Sequence, residues 1–176
     1  MTFAAGLLSL IAGIWLGDRL PDIDQHTSLL VHRSVITHGP LVPFLLFLVS
    51  SSRKSVPVRL FVMGLCAAFA VHLGFDLFPK AWTGFALIHI PEYGWTSPLA
   101  SGTWIALSGF ACVYMALRLV RNGLEGTVLA VGLAGSFLYA ATDEDAMWRP
   151  LLAVTTATIA ALVLAIRRRP KRGRRL

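Results

Sequence analysis

Residues 57–79, PVRLFVMGLCAAFAVHLGFDLFP, form an apolar run about as long as the roughly 20 residues a helix needs to cross a bilayer, interrupted near its end by His72 and Asp76. Pro57 suits a first helical turn, where its missing N–H costs nothing. Outward from this run, five more apolar segments can be drawn at about 2–17, 36–51, 102–120, 126–141 and 150–166, the last opened by Pro150 and the third marked less firmly by Gly102. Several fall short of 20 residues, so one or two can be half-helices or re-entrant pieces. With 56% hydrophobic residues and a mean hydropathy of +0.68, the chain reads as an all-α integral membrane bundle of about six transmembrane helices. The loops are too short for a second domain. Residues 1–166 are therefore one domain, followed by a basic tail over 167–176. No basic n-region and no small-x-small cleavage site precede Asp18, so residues 2–17 read as a retained first span.

The formal charge of +7 resembles a nucleic-acid signal until its distribution is examined. Arg167, Arg168, Arg169, Lys171, Arg172, Arg174 and Arg175 supply seven of the sixteen basic residues, and the remainder of the chain is neutral. A basic run directly after an apolar segment fixes topology and touches anionic headgroups. No aromatic or groove-reading motif accompanies it, so no nucleic-acid partner is expected. With both termini on one face, that face carries twelve Lys and Arg, against Arg19, Arg33, Lys80 and Arg149 on the other. The basic face is then cytoplasmic, in a multi-pass protein of the cell (inner) membrane. The same assignment puts all five histidines and all five tryptophans toward the outside, where Trp15, Trp82, Trp95, Trp104 and Trp148 read as an interfacial belt. Cys66 and Cys112 fall inside apolar runs and read as small buried hydrophobes.

Ionisable groups inside a membrane segment usually mark a functional site. His72 and Asp76 are spaced i, i+4, which puts their Cβ atoms about 5–6 Å apart on one helix face. They can share a metal, or form a hydrogen bond that joins two helices. In Leu20-Pro-Asp-Ile-Asp24, Pro21 ends the first span, and Asp22 and Asp24 can turn toward one cation from a loop. In His32-Arg-Ser-Val-Ile-Thr-His38, helix from residue 35 onward would point His38 into the bundle while His32 approaches from the loop. Arg33 either holds a substrate phosphate or carboxylate, or balances Asp22 or Asp24. Imidazole with carboxylate suits zinc, manganese or iron better than calcium. His26 and His89 lack partners at ligand spacing and read as exposed or hydrogen-bonded histidines. Glu92 and Tyr93 are candidates to line an entrance.

Leu20-Pro-Asp-x-Asp24, His32-Arg-x-x-x-Thr-His38 and His72-x-x-x-Asp76 together resemble the YdjM-like family of LexA-regulated, membrane-bound metal-dependent hydrolases, over about residues 10–80. The resemblance implies Asp22, Asp24, His32, His38, His72 and Asp76 as metal ligands, with Arg33 beside them. The chain departs from the family pattern at Gln25, which displaces a histidine to His26, at Gly39, where serine is usual, at Phe78-Pro79-Lys80, and at Ser34-Val35-Ile36, which lacks the usual glycine.

These readings lead to a membrane hydrolase with one or two divalent ions near the outer surface, acting on a phosphoester or lipid-linked substrate. A metal would activate water, Asp24 could serve as general base, and Arg33 could stabilise a phosphoryl or carboxylate oxygen. A metal or proton transporter, or a scaffold with a structural metal, would use the same ligands.

Overall fold

A computed structural model describes residues 3–53, 55–79, 86–142 and 147–167. Lys54, Lys80, Trp82, the acidic run Asp143, Glu144 and Asp145, and the basic tail beyond Arg167 lie outside these residues. The fold is all-α. Its helices are α1 (Phe3–Arg19), α2 (Leu41–Ser52), α3 (Val56–Asp76), α4 (Pro98–Leu119), α5 (Gly123–Ala140) and α6 (Trp148–Arg167), with a 3-10 helix at Pro21–His26 and a hairpin of β1 (His89–Ile90) and β2 (Gly94–Trp95).

α3, α4, α5 and α6 are each long and apolar enough to cross a membrane. The second of the expected spans is a correction. Helix α2 has 12 residues, about 18 Å at 1.5 Å each, which falls short of a hydrocarbon core of about 30 Å. It begins at Leu41 and not near residue 35, because Pro40 disfavours helical backbone at Gly39, while Pro40 and Pro43 occupy the cap and first turn, where no N–H is needed. Ser97, whose hydroxyl accepts from Ala100 N, starts α4 earlier than Gly102.

α3 is the axis of the bundle. Met63, Leu65, Cys66, Ala67, Ala68, Phe69 and Leu73 are all fully buried, and α1, α4, α5 and α6 pack around them. Helix α1 runs parallel to α3 at backbone contact. A Cβ on Gly13 would stand 2.0 Å from the Phe61 carbonyl oxygen and one on Gly17 2.3 Å from that of Leu65, so only glycine at this i, i+4 pair permits the approach. The parallel run carries the end of α1, and the 3-10 helix after it, to the end of α3 that bears His72 and Asp76. At the opposite end Arg59 of α3 forms a buried ion pair with Glu125 of α5, and Asn122 caps α5 through the Glu125 N–H.

The outer faces of the helices expose large apolar side chains, including Leu8, Ile11, Leu107, Val131, Leu138, Leu152 and Ile159. An apolar exterior around a closed core suits lipid contact.

Gly17→Val should force α1 away from α3 and lower thermal stability in detergent by several degrees, since overpacking costs about 1–3 kcal/mol even without a backbone clash. Gly135→Ala, where an added Cβ meets nothing within 4 Å, serves as the control and should leave stability unchanged or raised. Equal melting temperatures for Gly17→Val and the control would contradict the contact.

Candidate metal centre

Proline at position 21 follows the end of α1 and starts the 3-10 helix that carries both carboxylates of Asp22-Ile-Asp24, with Asp24 buried. Asp24 points inward and is 1% exposed. Its Oδ2 accepts from Ser34 N at 3.0 Å and from the Thr37 hydroxyl at 2.6 Å, while Oδ1 lies 3.1 Å from His32 Nδ1. Burial alone would raise the Asp24 carboxyl. The bonds from Thr37, His32 and Ser34, with the nearby His38, outweigh it and hold the group below its ordinary value of 3.8.

The loop over residues 27–40 is held by this carboxylate and by neighbouring chain. A single parallel bridge joins it to the hairpin, with Val35 N donating to His89 O and His89 N to Arg33 O, both at 2.9 Å. Trp104 Nε1, from α4, donates to His38 O at 3.1 Å. A Cβ on Gly39 would stand 2.6 Å from the Val35 carbonyl oxygen and 2.9 Å from the Trp104 ring, which leaves no room there for serine. Arg33 sits in the left-handed region with φ of 61°, a strained conformation for a residue with a side chain.

His38 is wholly buried, in a turn ahead of α2 rather than on a helix. Its Nδ1 lies 3.1 Å from the Thr37 oxygen, whose proton goes to Asp24. A chain in which His38 Nδ1–H donates to Thr37 and Thr37 to Asp24 leaves a lone pair on Nε2. That atom faces Asp76 Oδ2 at 3.3 Å, yet both are buried without a hydrogen-bond partner. His72 Nε2 completes the group, 3.6 Å from Asp76 Oδ2 and 3.8 Å from Asp22 Oδ2. Ligands held about 2.0–2.2 Å from one tetrahedral ion are separated by about 3.3–3.6 Å, so these spacings fit a single shared cation. Asp22, His38 and His72 form one set of converging ligand atoms, and Asp22, Asp24 and His32 form a second that shares Asp22.

All of Asp22, Asp24, His32, Arg33, His38, His72 and Asp76 thus meet at one end of the bundle. The partner of Arg33 differs from the expectation. Its Nε lies 3.8 Å from Asp76 Oδ1, because the left-handed turn directs the side chain toward α3 rather than toward Asp22 or Asp24. His26 is exposed, and His89 packs edge-on against Trp95 at 5.1 Å, outside the cluster. Thr37 and the Ser34 N–H were not assigned roles from sequence, and Trp104 was read as a belt residue rather than as a partner of this loop. Thr37 sits beside His38 within the motif, which was a usable signal, whereas Trp104 comes from a distant helix and gave none. Gln25 also contributes, donating to Asp22 Oδ1 at 2.8 Å.

Trp15, Arg19, Asp22, His26, His32, Arg33, His72, Phe75, Asp76 and Tyr139 are among the residues around a cavity of about 650 Å³ that opens onto the cluster. No family model matches the chain, and no curated protein or solved structure matches it significantly.

Asp24→Ala strands the buried Ser34 N–H, while the Thr37 hydroxyl keeps the Ser34 carbonyl oxygen as acceptor at 3.1 Å, so the expected loss is about 1–3 kcal/mol for the one donor left unmet, read as a lower melting temperature. The folded-state value of Asp24 is depressed, so its contribution is present above the ordinary carboxylate range and lost as pH falls through that lower value. The melting-temperature gap between wild type and Asp24→Ala should therefore hold from about pH 7 to 5 and close only below about pH 4. A gap that closes near pH 6 would contradict this assignment.

Proposed function

We propose that this chain is a membrane-bound, metal-dependent hydrolase of phosphoesters, in keeping with its resemblance to the YdjM-like family. The observation that carries the reading is the pair of buried, unpartnered atoms His38 Nε2 and Asp76 Oδ2 at 3.3 Å, with His72 Nε2 and Asp22 Oδ2 beside them. Two acceptors facing each other without a proton or cation between them are costly when buried. Asp22, His38, His72 and Asp76 would hold a divalent ion of the zinc, manganese or iron class, and Asp22, Asp24 and His32 offer a place for a second. Such an ion supplies Lewis-acid polarisation of a phosphoryl oxygen and activation of water.

The chain's own groups then have distinct parts. Thr37 and Asp24 hold His38 with its Nε2 lone pair toward the cluster, as a metal-ligating histidine requires. The three contacts on Asp24, and its burial, favour this positioning part over proton abstraction. Arg33, tethered to Asp76 with Nε otherwise unpartnered, is placed to neutralise a phosphoryl oxygen at the cavity wall. In the hydrolysis, the water oxygen forms the new bond to phosphorus with one hydrogen. The ester P–O bond breaks, and the other hydrogen goes to the leaving alcohol.

Two features support an enzyme over the alternatives. Phe69, Cys66, Leu65 and Met63, between the cluster and Arg59, are fully buried and apolar, so no polar route continues through α3 as transport would need. The cavity reaches Asp22, His32 and His72, which suits an open catalytic position better than closed structural coordination. The charge bias of the loops supports a cytoplasmic location for both termini and an outward-facing site in the cell membrane.

Metal analysis of purified protein should find zinc, manganese or iron, with occupancy lost in His38→Ala and Asp76→Ala and affinity lowered about 10–100-fold in Thr37→Val. Metal-loaded protein should cleave at least one member of a phosphoester panel, and chelation should abolish the activity. Unchanged metal content in both alanine variants, or no cleavage by loaded protein, would overturn the proposal.

A further inference from the structure

The cavity that opens on the cluster has two unlike walls. One carries charge. Arg33 stands beside Asp76, and the Arg19 guanidinium lies over the Trp15 ring at 4.6 Å, without an ion pair among the described residues. Asp18, Asp22 and Asp76 oppose these two arginines, and one divalent ion held on the cluster would turn the balance of lining charge positive. The other wall is apolar, formed by Trp15, Leu16, Phe75 and Tyr139.

The apolar wall continues into the outer surface of the bundle. Leu8, Ile11 and Trp15 fall at helical spacing along α1, and Val131 and Leu138 lie along α5 beside Tyr139; all are exposed. Helices α1 and α5 run in parallel and meet lightly, with a Cβ on Gly132 3.4 Å from Ile14. Nearly one turn closer to the cavity, Gly135 is exposed, and a Cβ there touches nothing within 4 Å. A seam therefore leads from the charged cavity to the apolar exterior, and about 650 Å³ is within the range of roughly 300–1,000 Å³ that holds a small ligand.

From this geometry we infer that the substrate is an anionic amphiphile: its phosphoester lies at the cluster near Arg33 and Arg19, and its hydrocarbon chain leaves along the α1–α5 seam past Trp15 and Tyr139. The inference rests on the proposed hydrolase for the position of the reacting group. The seam itself stands on Gly132, Gly135 and the apolar rim. A soluble phosphoester would fill the charged half and leave the apolar half without a partner.

Two readouts on the full chain test this. The first is photo-crosslinking of hexadecyl phosphate bearing a mid-chain diazirine, with and without zinc, followed by peptide mapping. Labels should concentrate on residues 8–15 of α1 and 132–139 of α5, and Gly135→Phe should deplete them. The second compares hexadecyl p-nitrophenyl phosphate with methyl p-nitrophenyl phosphate, which differ only in the tail. Burial of even a few methylene groups should favour the long chain at least about tenfold in kcat/KM. Gly135→Phe should remove most of that preference while leaving methyl-ester cleavage within about twofold, because a Cβ at that position has no neighbours. Labels spread evenly over the exterior helices, or equal rates on the two esters, would overturn the seam and leave the hydrolase standing. Seam labelling with neither ester cleaved would support the route and overturn the hydrolase.

Discussion

The Asp24 carboxylate, buried and tied to Ser34, Thr37 and His32, is the contact on which the site end of the molecule depends. An ionised carboxylate is expensive to remove from water unless donors replace the lost solvation. Here the donors come from a loop with no helix or continuous strand of its own. Meeting the needs of Asp24 gives that loop its shape, and the shape in turn sets the ring of His38. With Nδ1–H donating to Thr37, the Nε2 lone pair of His38 would turn toward Asp76 and His72.

A second constraint acts from below. Backbone contact between α1 and α3, made possible by Gly13 and Gly17, fixes how far the 3-10 helix stands from the end of α3. Asp22 and His72 are fifty residues apart in the chain, and their side chains are 3.8 Å apart in the fold. Without this contact the two motifs would share an end of the bundle but not a centre. The buried pair Arg59–Glu125 anchors α3 to α5 at the other end, so the bundle is tied at both ends of its central helix.

Much of this was legible in sequence, for identifiable reasons. The i, i+4 spacing of His72 and Asp76 and the stop at Pro21 are local features, and local features survive folding. All-helical architecture followed from apolar runs. The second span did not, because an apolar run from residue 36 hides the effect of Gly39-Pro40, which holds back the helix until Leu41. The partner of Arg33 depended on a left-handed turn that no residue type announces. The tryptophans illustrate the same limit. Trp104 and Trp95 read as belt residues, yet one donates to the His38 carbonyl and the other packs on His89. Only their contacts from separate elements reveal this. The glycine pair on α1 was given no role from sequence, although its small-xxx-small spacing is a pattern that permits close helix approach.

The central claim is that His38 and Asp76 face each other because they share an ion. X-ray absorption spectroscopy of the zinc-loaded protein tests it most directly. The account predicts a first shell of mixed nitrogen and oxygen at about 2.0–2.1 Å, with the outer-shell scattering of two imidazoles, and loss of that zinc signal in His38→Ala. A shell of oxygen alone, or a spectrum unchanged by His38→Ala, would contradict it.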